Sequence, residues 1–209
     1  MQTTLHTEVS RIESIWNGDF GNVYTQRNAA AGEGRQVFWH MIFRDYKIAN
    51  ALEIGCNAGA NLRHITSHLP PSLVFGVDIN THALRTLRQN MSDVNAIYAP
   101  ARDLPFKDNL FDLTFTTGVL IHQPPEALPM IMSEIVRCSG KYILCGEYFS
   151  ETTIEIPYRG LQGALFKSDF GGLYQKLFSN LTLINTGFLG RDSGWDDITY
   201  WLFEKKSLS

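Results

Sequence analysis

The sequence predicts a single α/β domain built on a mostly parallel sheet with helices on both faces. Three observations carry this. An apolar run from Ile48 to Ile54 enters a short glycine-bearing turn, and an amphipathic pattern at Leu62, Ile65 and Leu69 leaves it, which is the form of a strand, a tight loop and a helix. Strand-like and helix-like stretches then alternate as far as Tyr148. Two further strand-like segments close the chain with no helical pattern between them. At 209 residues the chain is long enough for one full domain with a proper core, so residues 1–209 are expected to form a single unit.

Residues 1–33 hold the aromatic and polar stretch Trp16 to Asn28 ahead of any strong strand. It reads either as a helix pair packing its aromatics on the domain edge or as a cap over a ligand. Val37, Phe38, Met41, Ile42 and Asp45 follow helical spacing, so a helix over 34–46 feeds the first strand, with His40 as scaffold. The corner Glu53-Ile54-Gly55-Cys56-Asn57-Ala58-Gly59 comes next. Its glycines allow a sharp turn and close approach of a ligand, and the following helix start offers free N–H groups. A dinucleotide fingerprint G-x-G-x-x-G fits poorly, since positions 57 and 60 are Asn57 and Ala60. A carboxylate such as Glu53 would repel a pyrophosphate and suit a cation. Asn57 can be accommodated either by a slightly wider loop or by taking a left-handed conformation.

Pro70-Pro71 ends the first crossover, and residues 73–79 read as a buried parallel strand with Asp78 at its carboxyl end. An acid there, roughly 20 residues after the glycine loop, can accept from both hydroxyls of a ribose. The rival role is a helix N-cap beside Asn80-Thr81. A helix over 81–91 and a strand over 96–99 follow, and then the segment Pro100 to Asp112. Residues 113–117 form a fourth strand running into Gly118 to His122. Pro124-Pro125 opens the next helix, over 126–137. A fifth strand spans 141–148, with Gly140 at the break before it. Residues 150–167 are the least regular stretch, as expected of a loop roofing an acceptor site. A helix over 168–177 and strands over 181–189 and 198–204 complete a seven-stranded sheet with an antiparallel C-terminal strand.

Composition narrows the function classes. A formal net charge of −3 without a run of Lys or Arg leaves no electrostatic footprint for nucleic acid. Three cysteines, Cys56, Cys138 and Cys145, form no C-x-x-C pair, so neither a disulfide framework nor a metal site is expected. Reduced thiols point to the cytoplasm. No stretch reads as a signal or a membrane span. A small-molecule ligand is the expected partner, with monomer and homodimer both open.

Glu53, Gly55 and Gly59 resemble the first motif of class I S-adenosylmethionine (SAM) methyltransferases, D/E-x-G-x-G-x-G, with Asn57 in place of the middle glycine. The stretch Pro100 to Asp112 is similar to that family's D-A-x-x-L-P-F-x-D-x-x-F-D, with Pro100 where Asp is usual. The resemblance implies a Rossmann-like class I methyltransferase fold and SAM as methyl donor, with S-adenosylhomocysteine as product. It places Glu53, Gly55, Cys56, Asn57, Gly59 and Asn61 along the methionine end, and Asp78 and Ile79 at the ribose. Ala101, Arg102 and Asp103 fall near the adenine, and Thr117, Gly118 and Val119 by the sulfonium. The N-terminal cap adds Tyr24, Arg27 and Asn28.

His122, with an unperturbed pKa near neutrality, is a candidate base for a hydroxyl acceptor, or else a capping or SAM-positioning residue. Tyr24 and Glu147 are the other catalytic candidates. Trp16, Phe20, Tyr148, Tyr158, Arg159 and Trp195 are expected to line the acceptor pocket. Its arginines favour a small polar metabolite, sugar-related or amino-acid-like, methylated on O or N. More narrowly, FGNVYTQRN, EIGCNAGANL, DLPFKDNLFD and the late YRG look similar to the pseudaminic acid biosynthesis-associated methylases. The alternatives are an NAD-dependent oxidoreductase on the same plan and a non-catalytic SAM-binding module.

Overall fold

The computed structural model describes residues 2–28 and 31–206. Positions 1, 29 and 30 of the expected cap, and the last three residues, lie outside that range. Two N-terminal helices, α1 (Gln2–Asn17) and α2 (Asp19–Arg27), precede α3 (Gln36–Asp45). Then follow β1 (Ala51–Ile54), α4 (Leu62–Ile65), β2 (Val74–Asp78), α5 (Thr81–Asn90), β3 (Asn95–Tyr98) and β4 (Phe111–Thr117). The second half holds α6 (Leu128–Cys138), β5 (Ser139–Glu147), β6 (Ile154–Glu155), β7 (Phe166–Lys167), α7 (Phe170–Leu177), β8 (Leu181–Leu189) and β9 (Ile198–Lys205).

The main sheet has seven strands in the order β3-β2-β1-β4-β5-β9-β8. The first five pair in parallel, whereas β9 runs antiparallel to both β5 and β8. The order reverses beside β1, between β2 and β4, which opens a crevice at the carboxyl ends of these strands.

Period-two alternation divides the core between the two faces. Leu52, Ile54, Ile143, Cys145, Trp201 and Phe203 pack towards α1, α6 and α7. Ala51, Leu113, Phe115, Leu144, Tyr200 and Leu202 pack towards α3, α4 and α5. Phe111 breaks the alternation and joins the first face because the β4 to β5 register shifts between Phe111 and Leu113. Trp39, fully buried on α3, contacts Phe115 with ring centroids 4.9 Å apart, and burying a side chain of this size contributes on the order of 1.5–3 kcal/mol.

Four sequence readings change. The helix after the glycine corner is one turn, Leu62–Ile65, continued by hydrogen-bonded turns to Leu69. Strand β5 starts at Ser139, directly after α6, so Gly140 lies inside the strand; a Cβ there would meet the Asn109 carbonyl oxygen at 2.9 Å. A short helical turn, Pro125–Ala127, leads into α6. The stretch 150–167 is folded back on itself as the β6 to β7 hairpin, with a bridge between Tyr158 and Leu161.

Candidate functional site

A cavity of about 780 Å³ opens at the carboxyl ends of β1, β2 and β4, beneath α1 and α2. Glu53, the last residue but one of β1, is buried at 2% exposure. Asn61 Nδ2 donates to its Oε1 across 2.6 Å and also to Thr117 Oγ1 across 2.9 Å. Glu53 Oε2 is buried with no hydrogen-bond partner. Burial pushes the Glu53 carboxyl up to about 8, against the lowering pull of Asn61 and of the nearby Arg35 cation.

Arg35, which the sequence did not single out, also lines the cavity. Its Nη1 donates to Asn61 Oδ1 at 2.9 Å and its Nε to the Gly194 carbonyl at 2.8 Å, while the guanidinium lies 4.2 Å from the Trp195 ring. An acid, an amide and a cation therefore stand in line at the mouth of the glycine loop. In the sequence only the position of Arg35, just ahead of α3, hinted at this; the partner that fixes it comes from the β8 to β9 connection.

Asn57 adopts φ +46, the left-handed conformation that lets the loop pass without its middle glycine. Asp78 Oδ2 accepts from the Asn57 N–H and Oδ1 from the Asn80 N–H, both at 2.8 Å. Asp78 thus ties the glycine loop to the start of α5. It is not the helix cap: Asn80 is, accepting from the Ala83 N–H at 2.8 Å. Asn80 also donates to the Trp16 carbonyl at 2.8 Å and so anchors the N-terminal pair over the site. Ile79, Cys56 and Ala101 line the cavity with them.

Arg102 and Asp103 do not join. Arg102 turns to Glu13, with contacts of 2.7 and 3.2 Å, and Asp103 is exposed outside the cavity lining. Glu147 is likewise corrected. It is fully buried beneath the turn after β4, and its carboxylate accepts from the N–H groups of Val119, Leu120 and Ile121 at 3.2, 3.1 and 3.3 Å. These three bonds hold that turn, and Glu147 does not line the cavity. Burial still pushes its carboxyl up to about 7.

The turn it holds presents Gly118, Val119, Ile121 and His122 to the cavity. His122 is 6% exposed, and its Nδ1 lies 2.6 Å from the Ala164 carbonyl oxygen. A carbonyl only accepts, so Nδ1 carries the proton and Nε2 keeps a free lone pair. Burial lowers the His122 pKa to about 4.

Trp16, Tyr24, Asn28, Tyr148, Tyr158 and Trp195 also line the cavity. Burial raises the Tyr24 phenol to about 12. Tyr148 gives its hydroxyl hydrogen bond to Asp196, and burial and that carboxylate raise its pKa. Phe20 sits behind this layer, 5.9 Å from the Tyr158 ring. Arg27 and Arg159 stay exposed at the rim, each lying over a tyrosine ring, Tyr24 and Tyr158. The two arginines expected to charge the pocket are therefore peripheral, and the inner cation is Arg35.

Residues 51–140 match a family model described as a methyltransferase domain. In structure the chain is similar to the 1,6-didemethyltoxoflavin-N1-methyltransferase of Burkholderia thailandensis, solved with 1,6-didemethyltoxoflavin and S-adenosylhomocysteine (TM-score 0.71, 16% identity, covering 97% of this chain and 91% of that one). It is also similar to the magnesium protoporphyrin IX methyltransferase of Synechocystis PCC 6803, solved with S-adenosylhomocysteine (TM-score 0.70, 13% identity, 94% and 99% covered). The fold is that of a class I methyltransferase. Among curated relatives, the mitochondrial arginine-hydroxylase NDUFAF5 of Mus musculus is 31% identical over 165 residues, covering 76% of this chain and 45% of the relative. Its Danio rerio counterpart is 29% identical over 105 residues, 48% of this chain and 32% of the relative. The chain spans less than half the length of the curated relatives it matches.

Within the methyltransferase fold, the residues present suit a ligand bearing an ammonium and a carboxylate. An ammonium would supply the donor that Glu53 Oε2 lacks, and a carboxylate would match the Arg35 cation. Asp78, with one lone pair per oxygen used on the backbone, retains acceptor capacity for vicinal hydroxyls. Among the described residues no group of three or more His, Cys, Asp and Glu is placed to hold a metal, and no helix is long and apolar enough to cross a membrane.

Proposed function

We propose that this chain is a SAM-dependent methyltransferase that moves a methyl group to an oxygen or nitrogen of a small polar metabolite. The observation that carries the reading is the unpartnered, buried Glu53 Oε2 at the end of β1, one amide away from Arg35. SAM supplies a methyl group already activated on a sulfonium, so the protein's work is alignment and exclusion of water. Glu53, Asn61 and Arg35 would grip the amino-acid tail, Asp78 the ribose, and the Glu147-held turn would set Val119 and His122 beside the reacting centre. His122, neutral with Nε2 free, would orient the acceptor and accept its proton. The N-terminal pair, with Trp16 and Tyr24, would cover the site, and the 150–167 hairpin would form its far wall.

The likeness of four sequence segments to the pseudaminic acid biosynthesis-associated methylases supports a place near that group. The antiparallel end pair and the Glu53 carboxylate argue against a dinucleotide oxidoreductase. Calorimetric titration with SAM, S-adenosylhomocysteine and NAD tests the reading. Heat with the first two and none with NAD is expected; binding of NAD alone would overturn it.

A further inference from the structure

The donor half of the cavity is polar, whereas the acceptor half is walled by rings. Trp16 and His122 have ring centroids 4.5 Å apart, His122 and Tyr158 5.0 Å, Tyr158 and Phe20 5.9 Å, and Phe20 and Trp16 5.4 Å. The circuit closes on itself from three separate stretches of chain: α1 with α2, the turn after β4, and the 150–167 hairpin. Tyr24 adds an edge-on contact to Trp16 at 5.2 Å. The polar atoms of the ring wall sit at ring edges, among them Trp16 Nε1, buried without a partner, and the Tyr24 and Tyr158 hydroxyls. Asp196 is engaged by the Tyr148 hydroxyl, Arg159 is exposed, and His122 offers a single acceptor nitrogen, Nε2.

We infer that the acceptor is a planar hydroxylated aromatic compound, a phenol or a heteroaromatic equivalent, seated against the Trp16, His122 and Tyr158 rings with its hydroxyl on His122 Nε2. This rests on the methyl-donor reading above and narrows its acceptor. A flat ring gains from edge-on and offset contacts with such a wall. A sugar would bring several hydroxyls against a wall whose polar atoms sit at ring edges, and each one buried unpaired costs affinity. The chemistry of the base agrees. An imidazole kept neutral by burial is a weak base, so a hydroxyl of tyrosine-like acidity, with an ordinary pKa of about 10, gives up its proton to it more readily than an aliphatic alcohol does. In the transfer, the phenolic proton passes to Nε2 and the oxygen lone pair forms the new bond to the methyl carbon. The carbon–sulfur bonding pair stays on sulfur, which becomes a neutral thioether, and His122 then releases its proton to water.

The test uses the full chain saturated with S-adenosylhomocysteine and titrated calorimetrically with catechol and umbelliferone, against the non-aromatic probes cyclohexanediol and glucuronate. The same four probes are screened for methylation with SAM. Aromatic probes should bind at least about tenfold more tightly than the non-aromatic ones and should alone be methylated. His122→Asn keeps a donor for the Ala164 carbonyl and removes Nε2; it should cut transfer by about a hundredfold or more with SAM affinity changed less than about threefold. Tyr158→Leu should erase the aromatic preference while leaving SAM affinity in place. Binding of S-adenosylhomocysteine without any preference for the aromatic probes, or methylation of glucuronate, would overturn this inference and leave the donor reading standing. Failure to bind S-adenosylhomocysteine would overturn both.

Discussion

Asn61 stands between Glu53 and Arg35, giving one hydrogen bond of 2.6 Å to the acid and taking one of 2.9 Å from the cation. The acid and the cation are thereby held apart by an amide rather than joined in an ion pair, which leaves both available to a ligand with its own pair of charges. Asn61→Ala should release Arg35 from that position and weaken SAM binding. The loss should be about 1–3 kcal/mol, as for a buried hydrogen bond to charged groups, and smaller for 5′-methylthioadenosine, which lacks the charged tail. Equal losses for the two ligands would show that Asn61 merely supports the loop.

Asp78 has two duties, stitching Asn57 to Asn80 and offering its remaining lone pairs to a ribose. Asp78→Asn keeps one carbonyl oxygen and should weaken SAM binding by about 1.5–3 kcal/mol. An unchanged Kd with an intact fold would remove Asp78 from the ligand site.

The glycines of the loop divide their roles in a way that the sequence hides. Both were expected to keep space that the ligand or the turn needs, more than to serve the core. Gly55 (φ +72) fits that view, because a Cβ there would meet Val119 Cγ2, a cavity-lining group, at 2.4 Å. Gly59 (φ +85) fits the turn, but its Cβ would also meet Leu87 Cδ1 at 2.6 Å, inside the core. Gly59→Ala should therefore lower the Tm of the ligand-free protein, costing about 1–3 kcal/mol from overpacking and strained backbone. Differential scanning calorimetry of Gly59→Ala without ligand checks this; an unchanged Tm would contradict the packing account.

The succession of strands and helices, the glycine corner and the placement of Asp78 were legible because each rests on local pattern: apolar runs, a turn that needs positive φ, and an acid at a strand end. What was not legible depends on contacts made across long stretches of chain. Arg35 is fixed by Gly194 and Trp195, and Arg102 is drawn away by Glu13, neither of which leaves a periodic trace. Glu147 looked catalytic because it lies at the strand end. Only the three N–H groups that converge on it show that its carboxylate is a clasp for the turn.

Burial also makes the stability of the protein depend on pH. Glu53, raised to about 8, and Glu147, raised to about 7, hold protons in the folded state that the unfolded chain releases from about 4.5 upward. The stability they contribute is present in full below that value and is lost as pH rises through 7 and 8. His122, lowered to about 4, acts in the opposite direction: its share is kept above its unfolded value of 6.5 and lost as pH falls towards 4. Between about pH 6.5 and 8.5 the ligand-free Tm should therefore fall, and Glu53→Gln should flatten the slope. A wild-type Tm that rises across this window would contradict the assignment.

The central claim is that the partly protonated Glu53 gives up its proton to receive the ammonium of SAM. Calorimetric titration of SAM at about pH 6.5, where an α-amino group with a pKa of about 7.7–8.0 is protonated, in two buffers of different ionisation enthalpy, measures that proton directly. The account predicts release of nearly one proton per SAM bound by the wild-type chain and none by Glu53→Gln. SAM binding with a heat independent of the buffer, or identical proton release from both proteins, would contradict it.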